Sequence, residues 1–299
     1  MFNFIKTIFR IMRHPLNSRF KALTLIKIVK WQIGSRILQK PIITSWINDS
    51  LIGCSNGEVG LTGNLYCGLI EFEEMGFLLH VLRSNHLFID VGANAGAYTI
   101  LASKVVGCKV VSYEPINETY NRLLLQIKIN GVSDLCNIKK SGVGQKKGTL
   151  KFTNNLDSIN KVCNEEHENR TSTIDVVDLD SDVFVSVPCL LKIDVEGYEF
   201  KVLTGAFNIL KSEYVYGVII EMNGCSQSYG NSDSEIHGLL VSLGFIPIQY
   251  NPFSRILTKL EVWNTENDNT IYVKNIDWIN KLCQNAEKRI IHTAHSQTI

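Results

Sequence analysis

The chain has 299 residues, 45% of them apolar and 20% charged, with a formal net charge of +1. That composition excludes a disordered chain or a collagen-like fibre and fits one large domain with an appendage, or two modest domains. No run approaches the roughly 18 consecutive apolar residues of a bilayer span, because Arg10, Arg13, Lys21, Lys27 and Lys30 interrupt the greasiest stretch, so no integral membrane protein is expected.

The charge is unevenly placed. Residues 1–48 hold nine of the 30 Lys and Arg (Lys6, Arg10, Arg13, Arg19, Lys21, Lys27, Lys30, Arg36, Lys40) and none of the 29 Asp and Glu, which leaves the remainder acidic. In this arm apolar residues recur at helical spacing. Ile5, Ile8, Phe9 and Met12 form one stripe, and Ala22, Leu25, Ile26, Val29 and Ile33 another, predicting two short amphipathic helices around His14-Pro15. Such helices either lie in an anionic membrane surface, with Trp31 and the apolar residues below the headgroups, or pack on the acidic main domain. No clean apolar core precedes a small-residue cleavage site, so a secretory signal is not expected, whereas an acid-free arm remains compatible with a mitochondrial presequence.

Beyond the arm, residues 49–85 form a lead-in. Gly53, Gly57, Gly60, Gly63 and Gly68 predict loops or short edge strands there, followed by a helix over 71–82. From His86 short apolar runs alternate with helical stretches: strands at 87–91, 109–113 and 135–139, helices at 97–106 and 117–129. That alternation means βαβ units and a parallel sheet. A hairpin-like piece at 148–153 leads into a polar, mobile stretch over 154–170. The alternation then resumes with strands at 173–177, 189–194 and 215–221 and helices at 200–210 and 235–243. Runs at 245–250, 256–260 and 270–273 suit antiparallel strands closing one edge. The expected fold is α/β, a doubly wound, mostly parallel sheet of about seven strands over 86–275, with a final helix near 278–290 and a tail to 299.

The sharpest local signal is Phe88-Ile89-Asp90-Val91-Gly92-Ala93-Asn94-Ala95-Gly96, a buried strand, a glycine turn and a helix start. Glycines remove the Cβ atoms that would keep a ligand from backbone N–H groups and a helix N-terminus. Asn94 stands where the dinucleotide fingerprint wants its second glycine, and Asp90 would repel a diphosphate while suiting a ligand with a cationic amino-acid portion, so S-adenosylmethionine fits better than NAD. Eighteen residues after Gly96, at the end of the next strand, Glu114 can accept hydrogen bonds from ribose hydroxyls.

A second strand ends in acid and glycine: Leu191-Lys192-Ile193-Asp194-Val195-Glu196-Gly197-Tyr198-Glu199. Strand alternation turns Lys192, Asp194 and Glu196 toward one side at the carboxyl end of the sheet, where acids beside a lysine can orient a hydroxyl, take its proton or hold a divalent metal such as Mg²⁺. Glu221 ends a further strand at the same edge and could complete a metal or substrate site. Glu199 reads as a structural cap. No Tyr-x-x-x-Lys of a short-chain dehydrogenase occurs. Asn251-Pro252-Phe253-Ser254 lacks the second proline of an amino-group methylase tetrad and reads as a hairpin turn. Eight scattered cysteines with no C-x-x-C read as buried small hydrophobes in a reducing compartment, giving a cytoplasmic expectation. The histidines lack metal spacing, and His80 reads as a core residue.

Taken together, these residues resemble the FkbM-type methyltransferase family, S-adenosylmethionine-dependent enzymes that mostly methylate hydroxyls of sugars and related natural products. The resemblance rests on the Asp90 to Gly96 turn, Tyr113-Glu114-Pro115, Gly142-Val143-Gly144 followed by Gly148-Thr149, and the Ile193 to Glu199 core continuing to Val202-Leu203-Thr204-Gly205-Ala206. It implies a Rossmann-like sheet, cofactor contacts from Asp90, Gly92, Asn94, Gly96 and Glu114, adenine near Ser141, Gly142 and Val143, and Asp194 and Glu196 facing the acceptor. Gln145 departs from the acid that relatives often carry after that turn. The expected activity is O-methyl transfer to a small-molecule or saccharide acceptor, such as a surface polysaccharide, with no nucleic-acid partner because the catalytic part is net acidic. An adenosyl-binding module without catalysis, docked through its basic arm, is the alternative.

Overall fold

The structure, a computed structural model, describes residues 2–58, 60–153 and 171–299. The arm folds as two helices, α1 (Phe2–Arg13) and α2 (Lys21–Leu38), hinged at His14-Pro15. After a small hairpin (Ile42–Ser45 with Leu51–Cys54) come two helices, α3 (Thr62–Cys67) and α4 (Phe72–Val81). The glycine-rich stretch is thus partly helical, since Gly63 sits inside α3 while Gly68 (φ +81°) ends it.

The main sheet has eight strands rather than seven: β1 (Leu87–Val91), β2 (Lys109–Tyr113), β3 (Cys136–Lys139), β4 (Cys189–Ile193), β5 (Val215–Glu221), β6 (Ile246–Asn251), β7 (Ile256–Lys259) and β8 (Asn269–Val273). Their spatial order is β7-β6-β8-β5-β4-β1-β2-β3. The five strands from β3 to β5 run parallel, whereas β8, β6 and β7 close the other edge antiparallel. Alternate residues feed two cores. Phe88, Val110 and Leu190 join the cluster on one face, and Leu87, Ile89, Val91, Leu191 and Ile193 the cluster on the other. A strand buried on both faces must be apolar at every position, which is why β1 and β4 read as continuous runs.

Residues Thr171–Val177 do not enter this sheet. They pair antiparallel with Gly148–Thr153 and parallel with Gly142–Val143 in a separate three-stranded sheet. Thr173 and Asp175 are exposed while their neighbours Ile174 and Val176 turn inward, and that one-sided alternation suits a half-solvated antiparallel strand rather than a doubly buried parallel one. The expected polar stretch at 154–170 lies outside the described residues. At the C-terminus the helix is Ile276–Gln284, shorter than expected, and the tail is a hairpin (Ile290–His292 with Ser296–Thr298). His292 N–H donates to the Trp46 carbonyl at 2.8 Å, tying this hairpin to the lead-in.

The arm shares the core of the main sheet: Ile11, Leu16, Ile28 and Trp31 belong to the cluster that includes Phe88 and Leu190. Asn17 Nδ2 donates to the carbonyls of Ile11 and Tyr66, each at 3.1 Å, and Gln32 Nε2 donates to the Tyr66 hydroxyl at 2.9 Å. Among the described residues no helix is long and apolar enough to cross a membrane. Seven free cysteines are described; Cys54, Cys67, Cys108, Cys189 and Cys283 are buried, as expected of small hydrophobes.

Candidate active site

The order of strands reverses between β1 and β4, which run parallel, because β2 and β3 build out one way and β4 and β5 the other. The carboxyl ends of strands flanking such a switch leave a crevice. Here it is a cleft of about 290 Å³. Its walls include Asp90, Gly92, Asn94, Glu114, Ser141, Gly142, Val143, Lys192, Asp194, Glu196 and Glu221.

The glycine turn after β1 is held by internal hydrogen bonds. Asn94 takes a left-handed φ of 50°, its N–H donates to Glu114 Oε2 at 2.8 Å, and its own Oδ1 accepts from Ala95 N–H at 2.7 Å. Glu114 Oε1 accepts from Ile116 N–H at 2.9 Å and Thr119 Oγ1 at 2.6 Å. A carboxylate has about four lone pairs, so the acceptor capacity left for a ribose is on Oε2. Gly92 (φ +80°) is dictated by contact across the switch point, because a Cβ there would stand 1.8 Å from the Asp194 carbonyl oxygen. Gly96, expected among the cofactor contacts, is not on the cleft wall; its missing Cβ makes room for Leu123 Cδ1, which would stand at 2.4 Å. Asp90 is buried, with Oδ2 accepting from Thr99 Oγ1 at 2.7 Å and Oδ1 lacking any partner. Burial pushes its pKa up to about 6, against the pull of Lys192 and Thr99.

On β4, in register with Asp90, Lys192 is buried and forms an ion pair of 2.6 Å with Asp194 Oδ2 while lying 4.7 Å from the centre of the Tyr98 ring. Burial works against its charge, yet Asp194, Glu71 and Asp90 together hold its pKa above the ordinary lysine value. A lysine so held is a cation rather than a base. Asp194, Glu196 and Glu221 bring carboxylate oxygens within 4.8 Å of one another. Glu221 Oε2 is buried with no hydrogen-bond partner, and burial followed by repulsion from Asp194, Glu196 and Glu199 pushes its pKa up to about 10. Glu199 stands apart as a structural residue: Oε1 accepts from Val195 N–H at 3.1 Å and Gly197 N–H at 3.0 Å, and Oε2 from Ser226 Oγ at 3.1 Å.

The lead-in contributes residues to the cleft that no motif in the sequence announces. Leu61, Asn64, Ile70, Glu71 and Met75 line the cleft from the far side, and the Tyr98 hydroxyl donates to Glu71 Oε2. Burial raises the pKa of Glu71, with Lys192 pulling the other way. No spacing rule links residue 71 to residue 98; the acidic start of α4 was the only trace. His80 and His237 stay outside the cleft, bonding through Nδ1 to the hydroxyls of Tyr250 at 2.7 Å and Tyr272 at 2.9 Å.

Among the described residues lining the cleft, Lys192 is the one cation, set against Glu71, Asp90, Glu114, Asp194, Glu196 and Glu221. Such a field attracts a sulfonium or ammonium group and repels a diphosphate. With the unpartnered Asp90 Oδ1 and the open backbone of the glycine turn, these residues fit S-adenosylmethionine. Three oxygen donors, one of them a buried orphan, also fit a hard divalent cation.

The profile of the methyltransferase FkbM domain family matches residues 90–247, more than half of the chain. No curated protein matches it. Similar solved structures include an S-adenosylmethionine-dependent O-methyltransferase from Thermotoga maritima, at 12% identity and TM-score 0.36 over 67% of this chain and 63% of that one. The precorrin-6y C5,15-methyltransferase of Geobacter metallireducens aligns at 9% identity and TM-score 0.40 over 74% and 92%. A Streptococcus mutans protein in complex with S-adenosylhomocysteine aligns at 14% identity and TM-score 0.40 over 67% and 95%. At such identities and scores nothing about acceptor or mechanism passes from these proteins to this chain.

Proposed function

The chain belongs to the FkbM methyltransferase family and is an S-adenosylmethionine-dependent methyltransferase, and from that premise we propose that it methylates a hydroxyl oxygen of a saccharide, with Asp194 as the base. The observation that carries this reading is the placement of Asp194. Its carboxylate lines the cleft, paired with Lys192, while its backbone N–H donates to the Val91 carbonyl at 3.0 Å and its carbonyl oxygen packs on Gly92. The proton acceptor is thereby locked to the turn that would hold the cofactor. The family's usual acceptors support the saccharide.

Asp90 would accept from the cationic amino group of the cofactor, Glu114 Oε2 from a ribose hydroxyl, and the Ser141 to Val143 segment would border the adenine. When bound, S-adenosylmethionine supplies a methyl group on a positively charged sulfur with a neutral leaving group. The protein's task is therefore mainly alignment, keeping the acceptor oxygen in line with that methyl and water away. Asp194 receives the hydroxyl proton as the oxygen bonds to carbon, and Lys192 keeps the carboxylate oriented. A Mg²⁺ ion held by Glu196 and Glu221, beside Asp194, would supply positive charge that lowers the pKa of the hydroxyl.

The test is transfer of a labelled methyl group to a panel of saccharides, peptides and nucleic acids, followed by mild alkali. Label on a saccharide that survives alkali is the expected ether. Label released by alkali marks a carboxyl ester, and label confined to peptide or nucleic acid would overturn the reading.

A further inference from the structure

Helix α2 is apolar on two opposite sides. Thr24, Ile28, Trp31 and Ser35 face inward and are buried. Ile26, Val29, Ile33 and Ile37 form a second row two positions out of step, which on a helix of about 3.6 residues per turn is roughly half a turn away. That outer row is exposed, at 51%, 48%, 56% and 73%. The outward face is thus more hydrophobic than the inward one, which includes a threonine and a serine. A solvated helix face normally carries polar residues, and a contiguous apolar strip on a surface marks a contact site.

Charge says what covers it. Lys30 and Arg36 border the strip on its two sides and are exposed, Lys21 and Lys40 stand exposed near its ends, and no acid occurs anywhere before Asp49. An apolar strip edged by cations, in a segment free of acids, matches the boundary of an anionic bilayer, where isoleucines enter the acyl region while lysine and arginine reach phosphates. We propose that α2 lies in the plane of an anionic membrane surface and docks the enzyme there. The anchored helix adjoins the site, because Gln32 bonds to Tyr66 of α3, whose neighbours Leu61 and Asn64 line the cleft. The proposal stands on the arm alone and is independent of which acceptor is methylated.

Flotation of the full chain with vesicles tests it. The protein is expected to float with phosphatidylglycerol-containing vesicles at low salt, less at high salt, and not with pure phosphatidylcholine. The pair Ile26→Glu and Ile33→Glu should lower partitioning by about tenfold or more. Phe184→Glu, removing an 87% exposed aromatic elsewhere, should leave it unchanged. Lys30→Glu gives a second probe that leaves the apolar row intact, and should weaken binding to anionic vesicles specifically. Wild-type protein that ignores anionic vesicles overturns the proposal, as does equal flotation of the Glu variants. So does a molar mass in solution that halves on Ile33→Glu without vesicle binding, which would assign the strip to a second copy of the chain.

Discussion

Two strands of this sheet end in the same way, in an acid followed by a glycine turn, yet the two turns are built for different work. After β1 most polar groups are held within the protein: Asp90 Oδ2 accepts from Thr99 while its buried Oδ1 stays open, and Glu114 takes hydrogen bonds from Asn94, Ile116 and Thr119. The result is a rigid cradle. After β4 the carboxylates crowd one another, Asp194 and Glu196 meeting Glu221 from the end of β5 within 4.8 Å, with Glu221 keeping an unpartnered buried oxygen. Crowded like charges are costly to fold and are found where protons or cations are handled. A turn with its carboxylates spread out and mostly hydrogen-bonded positions a ligand; one with its carboxylates crowded together acts on it.

The sharpest way to break this contrast is Asp194→Asn. Loss of a general base costs about 10²–10⁴ in rate, so transfer should fall by about that factor while calorimetric affinity for S-adenosylmethionine stays within a few fold. A variant that keeps its rate would place the base elsewhere. Gly92→Ala strikes where the two turns touch. A Cβ at 1.8 Å from the Asp194 carbonyl, at a left-handed φ, forces the turns apart and should remove about 3 kcal/mol of stability along with cofactor binding. Gly148→Ala, where a Cβ meets nothing within 4 Å, is the control and should change little in thermal unfolding.

The smallest expected effect reads the crowding itself. The pKa of Glu221 is raised by folding to about 10, so its contribution to stability is fully present below the ordinary glutamate range and is lost as pH rises toward 10. Glu221→Gln keeps the neutral shape without the proton to lose. Its melting temperature should match wild type near pH 4 and exceed it by about 2 °C or more at pH 9. Parallel melting curves across that range would mean that the carboxylate is solvated rather than crowded.

Much of this contrast was legible in residue order. Strand alternation and the glycine turn located Asp90, Glu114, Lys192 and Asp194 at one edge of the sheet, since period and direction are local properties of a strand. The separation of Thr171–Val177 into its own sheet was also encoded, in the alternation of Thr173 and Asp175 with Ile174 and Val176, but a lone alternating run does not say with what it pairs. The partnership of Glu71 with Tyr98 was not legible, because it joins side chains from separate elements that meet only after the lead-in folds over the cleft. In the arm, the stripe Ile26, Val29, Ile33 was visible, yet an apolar stripe on a helix usually faces the core, and here that side is taken by Ile28 and Trp31.

Residue order alone dictates the alternation of strands and helices, the acids at the strand ends and the acid-free charge of the arm, because each depends on residues a few positions apart. The tertiary structure alone decided which acids share a volume, which oxygen is left without a donor and which side of α2 faces outward. Those outcomes depend on the order of strands in the sheet and on burial, and electrostatic cost in a protein is set by what surrounds a charge rather than by its neighbours in the chain.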